Sequence, residues 1–209
     1  ASEDEQLRQI AAIDIGTNST HLLVATVDPS LHTFSIDLAE KSTTRLGERD
    51  LETGALTEFA MRRVFETLQR FKDLVESYKV EYLITAATSA VREAPNGRSF
   101  LNKIKERMQL EVDLISGSEE ARLIYLGVLS GMQLGNSSHV LVDIGGGSTE
   151  LILADRTDAR ALTSTRVGAV RLQRDFIKKD PLSSSRLEFL KIFIRGSLEP
   201  AVEKIRRRL

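Results

Sequence analysis

Asp143-Ile-Gly-Gly-Gly-Ser-Thr-Glu150 concentrates residue types that phosphate chemistry uses. Carboxylates stand at both ends and hydroxyls sit beside the second. Three consecutive glycines let the backbone approach a ligand closely and aim several N–H groups one way, which suits phosphate oxygens. A single Gly-Gly-Gly turn would serve a plain hairpin equally well. The chain, however, carries the pattern twice. In Asp14-Ile-Gly-Thr-Asn-Ser-Thr20, Asp14 matches Asp143, Gly16 matches Gly145, Ser19 matches Ser148 and Thr20 matches Thr149. The offset is constant, since 143 − 14, 145 − 16 and 148 − 19 all give 129. Arg45-Leu-Gly47 and Arg166-Val-Gly168 extend the likeness. One position breaks it: His21 stands where the second copy has Glu150. The expectation is two half-molecules built alike, each offering a phosphate loop, with a cleft between them.

Thr17, Asn18 and Ser19 in the first copy, and Gly145, Gly146, Gly147, Ser148 and Thr149 in the second, are the candidate phosphate-binding residues, through hydroxyl, amide and backbone donors. Asp14 and Asp143 are accounted for either by a Mg²⁺ ion, held directly or through water, or by hydrogen bonds to their own turns. Glu150 is suited to orienting water or holding a metal ion, the other reading being a strand-end carboxylate in solvent. Hydrolysing a phosphoanhydride needs an in-line water, N–H or cationic groups around the transferred phosphoryl, and a group that holds or deprotonates the water. Ser116-Gly-Ser-Glu-Glu120 bears on that last task. With Ser116 as helix N-cap, Glu119 falls at the third position and is expected to close a capping box. Glu120 is then left in the first turn, as a base or as a solvated helix residue. Arg92 has the fork geometry to clamp a phosphoryl group, or lies on the surface.

The elements that must position these residues follow from apolar spacing. Ile10 to Ile15 and His21 to Val27 read as a hairpin around the first loop, and Thr33 to Ser42 as a third strand. Residues 1–9 are charged and read as frayed. Leu56 to Tyr78 repeats apolar residues at helical spacing, including Phe59, Val64, Leu68 and Phe71, with Thr57 as its cap. Val80 to Ala87 is a short buried strand whose C-terminal end delivers Thr88 to Arg92, where ligands gather in α/β sheets. A helix over Ser99 to Met108, a strand over Val112 to Ile115 and a helix from Ser116 to about Leu134 complete a βββαβαβα order and a mostly parallel sheet. Gly135 to Ser138 reads as the boundary between a first domain, 1–135, and a second, 136–209. The second opens with another βββ unit, from Val140 to about Val167. Helices over about Val170 to Ile177 and Ser184 to Arg207 follow, with Pro200 expected to interrupt or kink the last.

Composition excludes several classes. A formal charge of −1 gives no global field for nucleic acid or a membrane surface, so neither is expected as a partner. The Arg206-Arg-Arg208 run reads as favouring the negative end of a helix. No apolar run approaches the ~20 residues of a membrane span, and the acidic start is no secretory leader. Zero cysteines exclude disulfides and a thiol nucleophile, which fits the cytoplasm. Three scattered histidines give no zinc spacing, and no Gly-Lys-Ser/Thr follows a glycine-rich loop. Phosphoryl chemistry would rest on carboxylates, hydroxyls, backbone amides and a metal ion.

Together with the two loops, Arg45-Leu-Gly-Glu48, Thr53-Gly-Ala-Leu56, Ala87-Thr-Ser-Ala-Val-Arg92 and Ile115-Ser-Gly-Ser-Glu-Glu-Ala-Arg122 resemble, in order, the motifs of the exopolyphosphatase and guanosine pentaphosphate phosphohydrolase family. That family belongs to the sugar kinase, Hsp70 and actin superfamily. The resemblance implies a ribonuclease H-like (actin-like) α/β repeat, a complete first domain and a partial second one. It also implies Glu120 as the catalytic residue, with alignment to Glu119 left open, and Arg92 in the phosphate site; Mg²⁺ or another divalent cation and a catalytic share for Glu150 are expected from the residues themselves. The implied reaction removes terminal orthophosphate from inorganic polyphosphate. The alternatives are removal of the 5′ γ-phosphate of pppGpp and a non-catalytic module that binds polyphosphate or the alarmone. A homodimer is compatible with the sequence but not read from it. The family continues beyond the last helix, so the second domain is expected to be incomplete.

Overall fold

The computed structural model describes residues 6–209, so the expectation for the first five residues lies outside it. By internal contacts the chain divides into two compact units, residues 1–114 and 115–209.

The first unit is built on a five-stranded sheet. Strands β1 (Arg8–Ile15), β2 (Thr20–Asp28) and β3 (Thr33–Ser42) form consecutive antiparallel hairpins. Strands β4 (Tyr82–Ala87) and the short β5 (Asp113–Leu114) then add in parallel, giving the order β3-β2-β1-β4-β5. This is the ribonuclease H-like order that the resemblance implied. The sheet is mixed rather than mostly parallel, because two strands joined by a tight turn must run antiparallel. Arg8 and Gln9, expected to fray, are already paired in β1.

Alternation in β1 buries Ala11, Ile13 and Ile15 and turns Ala12 and Asp14 outward. The buried row packs under helix α1 (Glu58–Ser77), which presents Ala60, Val64, Leu68 and Phe71, and under α3 (Gly97–Met108), with Phe100 and Ile104. Thr57 caps α1 by accepting from the Ala60 amide at 3.1 Å. Phe59, expected on the apolar stripe, is exposed, with the Arg62 guanidinium over its ring. Between β4 and α3 the chain makes one extra helical turn, α2 (Ser89–Arg92).

The second unit opens with α4 (Gly117–Gly131). It continues into an antiparallel sheet of β6 (His139–Ile144), β7 (Thr149–Ala154) and β8 (Ala159–Thr165). Ala121 and Tyr125 of α4 pack on Ile152 and Ala154, with Leu141 alongside. Helix α4 was expected to close the first half, but its contacts belong to this sheet. The units therefore divide at Leu114, ahead of the expected Gly135–Ser138 boundary. The Tyr125 hydroxyl donates to the Asp155 carbonyl at 2.8 Å, fixing the helix to the β7–β8 turn.

Helices α5 (Ala169–Phe176) and α6 (Ser184–Arg206) follow. Helix α6 runs through Pro200 without a break. The bond that Pro200 cannot donate is lost, but Ala201 and Ile205 are seated against Leu151, Leu153 and Ala161 and hold the distal turns in line. Its first half is largely exposed despite helical apolar spacing, although Phe176 stacks obliquely on Phe193 at 4.5 Å. On β6, Val140, Val142 and Ile144 are exposed, whereas their repeat partners Ala11, Ile13 and Ile15 are core.

Candidate functional site

Both glycine turns close in the same way. The Gly16 amide donates to the Ser19 carbonyl at 3.0 Å, and the Gly145 amide to the Ser148 carbonyl at 2.9 Å. The segment after the third strand of each unit then ties the turn's carbonyls back. In the first turn Gly47 N–H donates to Thr17 O at 2.8 Å and Arg45 N–H to Asn18 O at 3.0 Å. In the second, Ala169 N–H donates to Gly145 O at 2.9 Å and Arg171 N–H to Gly146 O at 3.0 Å, while Arg171 Nε donates to Gly147 O at 3.0 Å. With those carbonyls engaged, the N–H groups of Thr17, Asn18, Gly146 and Gly147 find no acceptor among the described residues. Thr17 and Gly147 are buried and Gly146 half-buried, and backbone donors so placed are rarely left without an acceptor. Outward N–H groups on a tight turn make an anion-binding concavity.

In the first unit the Thr17 hydroxyl shares a 2.9 Å hydrogen bond with Ser89 at the start of α2, which ends at the half-buried Arg92. Thr17, Ser89 and the α2 turn are thus brought together. Asn18 is exposed at the tip, with its amide 3.4 Å from the Ser19 hydroxyl. Asp14 lies opposite His21 across β1 and β2. The Thr20 and Thr44 hydroxyls pair at 2.9 Å beneath the loop.

In the second unit Ser148, Thr149 and Glu150 are all buried, Glu150 to 1 % exposure. The Thr149 hydroxyl donates to Val167 O at 2.6 Å, so its hydrogen holds the loop rather than facing outward. Ser164 Oγ donates to Glu150 Oε1 at 2.7 Å. Asp143 and Glu150 sit directly opposite each other on β6 and β7, which places both carboxylates on one face.

Ser116 caps α4 through the Glu119 amide at 3.1 Å. The expected return arm of the capping box is replaced. Both Glu119 oxygens are forked by Arg122, at 2.8 and 2.7 Å, which holds the Glu119 carboxyl below its usual range. Glu120 is the other acid of that turn and lies in the same unit as Glu150. Four residues were given no role by the sequence reading: Ser89, Ser164, Gly168 and Arg171. Two had a signal, Ser89 inside the Ala87–Arg92 motif and Gly168 in the Arg-x-Gly likeness to Gly47.

A twice-built α/β frame, with a phosphate-suited turn in each copy, defines the general class. The Ppx/GppA phosphatase family model matches residues 23–209. A guanosine-5′-triphosphate,3′-diphosphate pyrophosphatase of Photobacterium profundum is 36% identical over 197 residues, covering 93% of this chain and 38% of its own length. The structure of an exopolyphosphatase from Cytophaga hutchinsonii superposes with a TM-score of 0.89 at 30% identity, over 96% of this chain and 64% of that one. A PPX-GPPA enzyme of Aquifex aeolicus gives a TM-score of 0.77 at 32% identity, over 94% and 64%. The chain belongs to the Ppx/GppA phosphatase family. It spans well under half the length of the curated relatives described. Among the described residues no helix is long and apolar enough to cross a membrane.

Proposed function

We propose that this chain carries the phosphate-handling part of a metal-dependent phosphoanhydride hydrolase acting on the terminal phosphate of inorganic polyphosphate. The carrying observation is the turn built twice, with carbonyls tied back and N–H groups left to meet phosphate oxygens. Thr17, Asn18, Ser19 and residues 145–148 bind phosphate, mainly through backbone, and Arg92 adds a cationic fork. Glu120 holds and deprotonates the attacking water, and Glu150 orients it. Cleavage of the anhydride needs these donors already in place around the transferred phosphoryl.

The cation belongs with Asp143 and Glu150. Carboxylates set directly opposite each other on a ladder are placed to share one divalent ion. Among the described residues no three His, Asp or Glu side chains cluster as a metal centre. Mg²⁺ takes one or two carboxylates and completes its shell with water and phosphate oxygens. When bound it would neutralise charge on the leaving phosphate. Asp14, opposite His21 rather than a second acid, is the weaker ligand.

A second reading is hydrolysis of pppGpp, favoured by the Photobacterium profundum relative's name. Both substrates present a terminal phosphoanhydride. Side-by-side orthophosphate release from polyphosphate and pppGpp with Mg²⁺ separates them. Glu120→Gln should lower release by at least about 10²-fold. Activity within a few-fold of wild type would reject Glu120 as the base. Tight tripolyphosphate binding without any turnover would favour a binding module.

A further inference from the structure

Ser164 lies where three parts of the second unit meet. It faces Glu150 across the β7–β8 ladder, and its hydroxyl donates to the Glu150 carboxylate at 2.7 Å. Its other side abuts the first residue of α4. A Cβ added at Gly117 would fall 2.6 Å from Ser164 Cβ and 2.7 Å from its Oγ. No side chain fits at 117 while Ser164 keeps its place, so the first residue of the helix lies directly against this serine. The same helical turn carries the Ser116 cap and Glu120.

We propose that Ser164 is a positioning residue that couples the two acids: its hydroxyl orients the Glu150 carboxylate, and its Cβ sets the height of the α4 N-terminus and hence of Glu120. The proposal rests on the roles given above to Glu120 and Glu150. It adds that their mutual spacing is fixed through β8 rather than by the glycine turn. Ser164 itself touches no substrate. It acts because small misplacements of catalytic groups are costly in rate, and this one side chain touches both the Glu150 carboxylate and the start of α4.

The test has one arm that reads turnover and one that does not. Ser164→Ala keeps the Cβ and removes the hydroxyl. In orthophosphate release from polyphosphate with Mg²⁺, kcat should fall about 10- to 100-fold, the worth of a hydrogen bond to a charged group, with KM changed less than about threefold. The urea midpoint should fall as well, because the buried Glu150 carboxylate loses a donor, so the reading rests on kcat falling while KM holds. Gly117→Ala keeps the hydroxyl and crowds the helix seat. Hydrogen exchange at the Glu119 and Glu120 amides should then speed up about tenfold. Adding Ser164→Gly, which clears the space, should restore the wild-type exchange of those two amides. Retained kcat in Ser164→Ala, or unchanged exchange in Gly117→Ala, overturns the proposal. If the wild-type chain releases no orthophosphate, the hydrolase reading is what fails. The exchange arm then decides the seating of α4 by itself, and failure of the Ser164→Gly rescue counts against it.

Discussion

Gly168→Ala is the change that most directly challenges the account of the second turn. Gly168 has φ −154°, an extended conformation open to any residue, so the demand for glycine there is spatial. A Cβ would lie 2.4 Å from both the carbonyl carbon and oxygen of Gly146 and 2.5 Å from the Gly147 nitrogen. All three are backbone atoms of the turn and cannot rotate away. Relief requires α5 to back off, which breaks or stretches the bonds from Ala169 and Arg171 to the turn carbonyls. Overpacking costs about 1–3 kcal/mol and each of two weakened backbone hydrogen bonds about 0.5–1.5 kcal/mol, so a loss of roughly 2–6 kcal/mol is expected. At about 2–4 °C per kcal/mol for a chain of this size, that lowers Tm by roughly 4–24 °C. Affinity for tripolyphosphate with Mg²⁺, measured by calorimetry, should fall at least about tenfold as the amide edge loses its shape. Gly127→Ala is the matched control. Nothing lies within 4 Å of its added Cβ and it sits inside α4, so the same methyl should stabilise by up to about 1 kcal/mol. Should Gly168→Ala melt and bind like wild type, the tied-back carbonyls do not shape the turn.

Two further expectations concern stability. Ile13 and Val142 are repeat partners, but Ile13 is 2 % exposed and Val142 58 %. Ile13→Ala should cost about 2–5 kcal/mol in urea unfolding, and Val142→Ala under about 1 kcal/mol. Equal losses would refute the burial difference between the sheets. Asp155 accepts from the Thr157 hydroxyl at 2.7 Å, the Thr157 and Asp158 amides at 2.8 and 3.0 Å, and Arg160 at 2.6 Å. These bonds, the Thr157 hydroxyl first, hold its carboxyl far below the ordinary 3.8. A folded pKa below the unfolded one contributes stability above pH 3.8 and loses it as pH falls further. Asp155→Asn should therefore be less stable at neutral pH and flatter in thermal melts below pH 4. An unchanged acid limb would count against the turn as its source.

What the sequence made legible was local or periodic. The paired turns followed from residue type at a constant offset, and the caps Thr57 and Ser116 from the position of a hydroxyl before an apolar run. What it hid was the identity of neighbours. An amphipathic stripe on α4 says that one face is covered, not which sheet covers it, and so the helix was assigned to the wrong side of the chain's division. Apolar spacing likewise could not tell the seated half of α6 from the exposed half, or remove Phe59 from the α1 stripe. Ser164 and Arg171 were invisible for a different reason. Their roles depend on cross-strand register and on where the turn's carbonyls point, and neither is encoded in spacing along the chain.

The register also explains why two turns of one design need not share one chemistry. Across β1, β2 and β3 the matching row is Asp14, His21 and Lys41; across β6, β7 and β8 it is Asp143, Glu150 and Ser164. The first row sets one acid beside an imidazole and an amine and is exposed along its length. The second sets two acids together and gives them one hydroxyl. Of this second row only Glu150 is buried, while Asp143 and Ser164 are exposed. Burial raises the free energy of an ionised carboxylate unless charge or hydrogen bonds answer it. Ser164 answers one oxygen of the buried Glu150 through its hydroxyl. The departure from repeat symmetry at a single position, His21 against Glu150, thus gives the two turns different sets of charged neighbours.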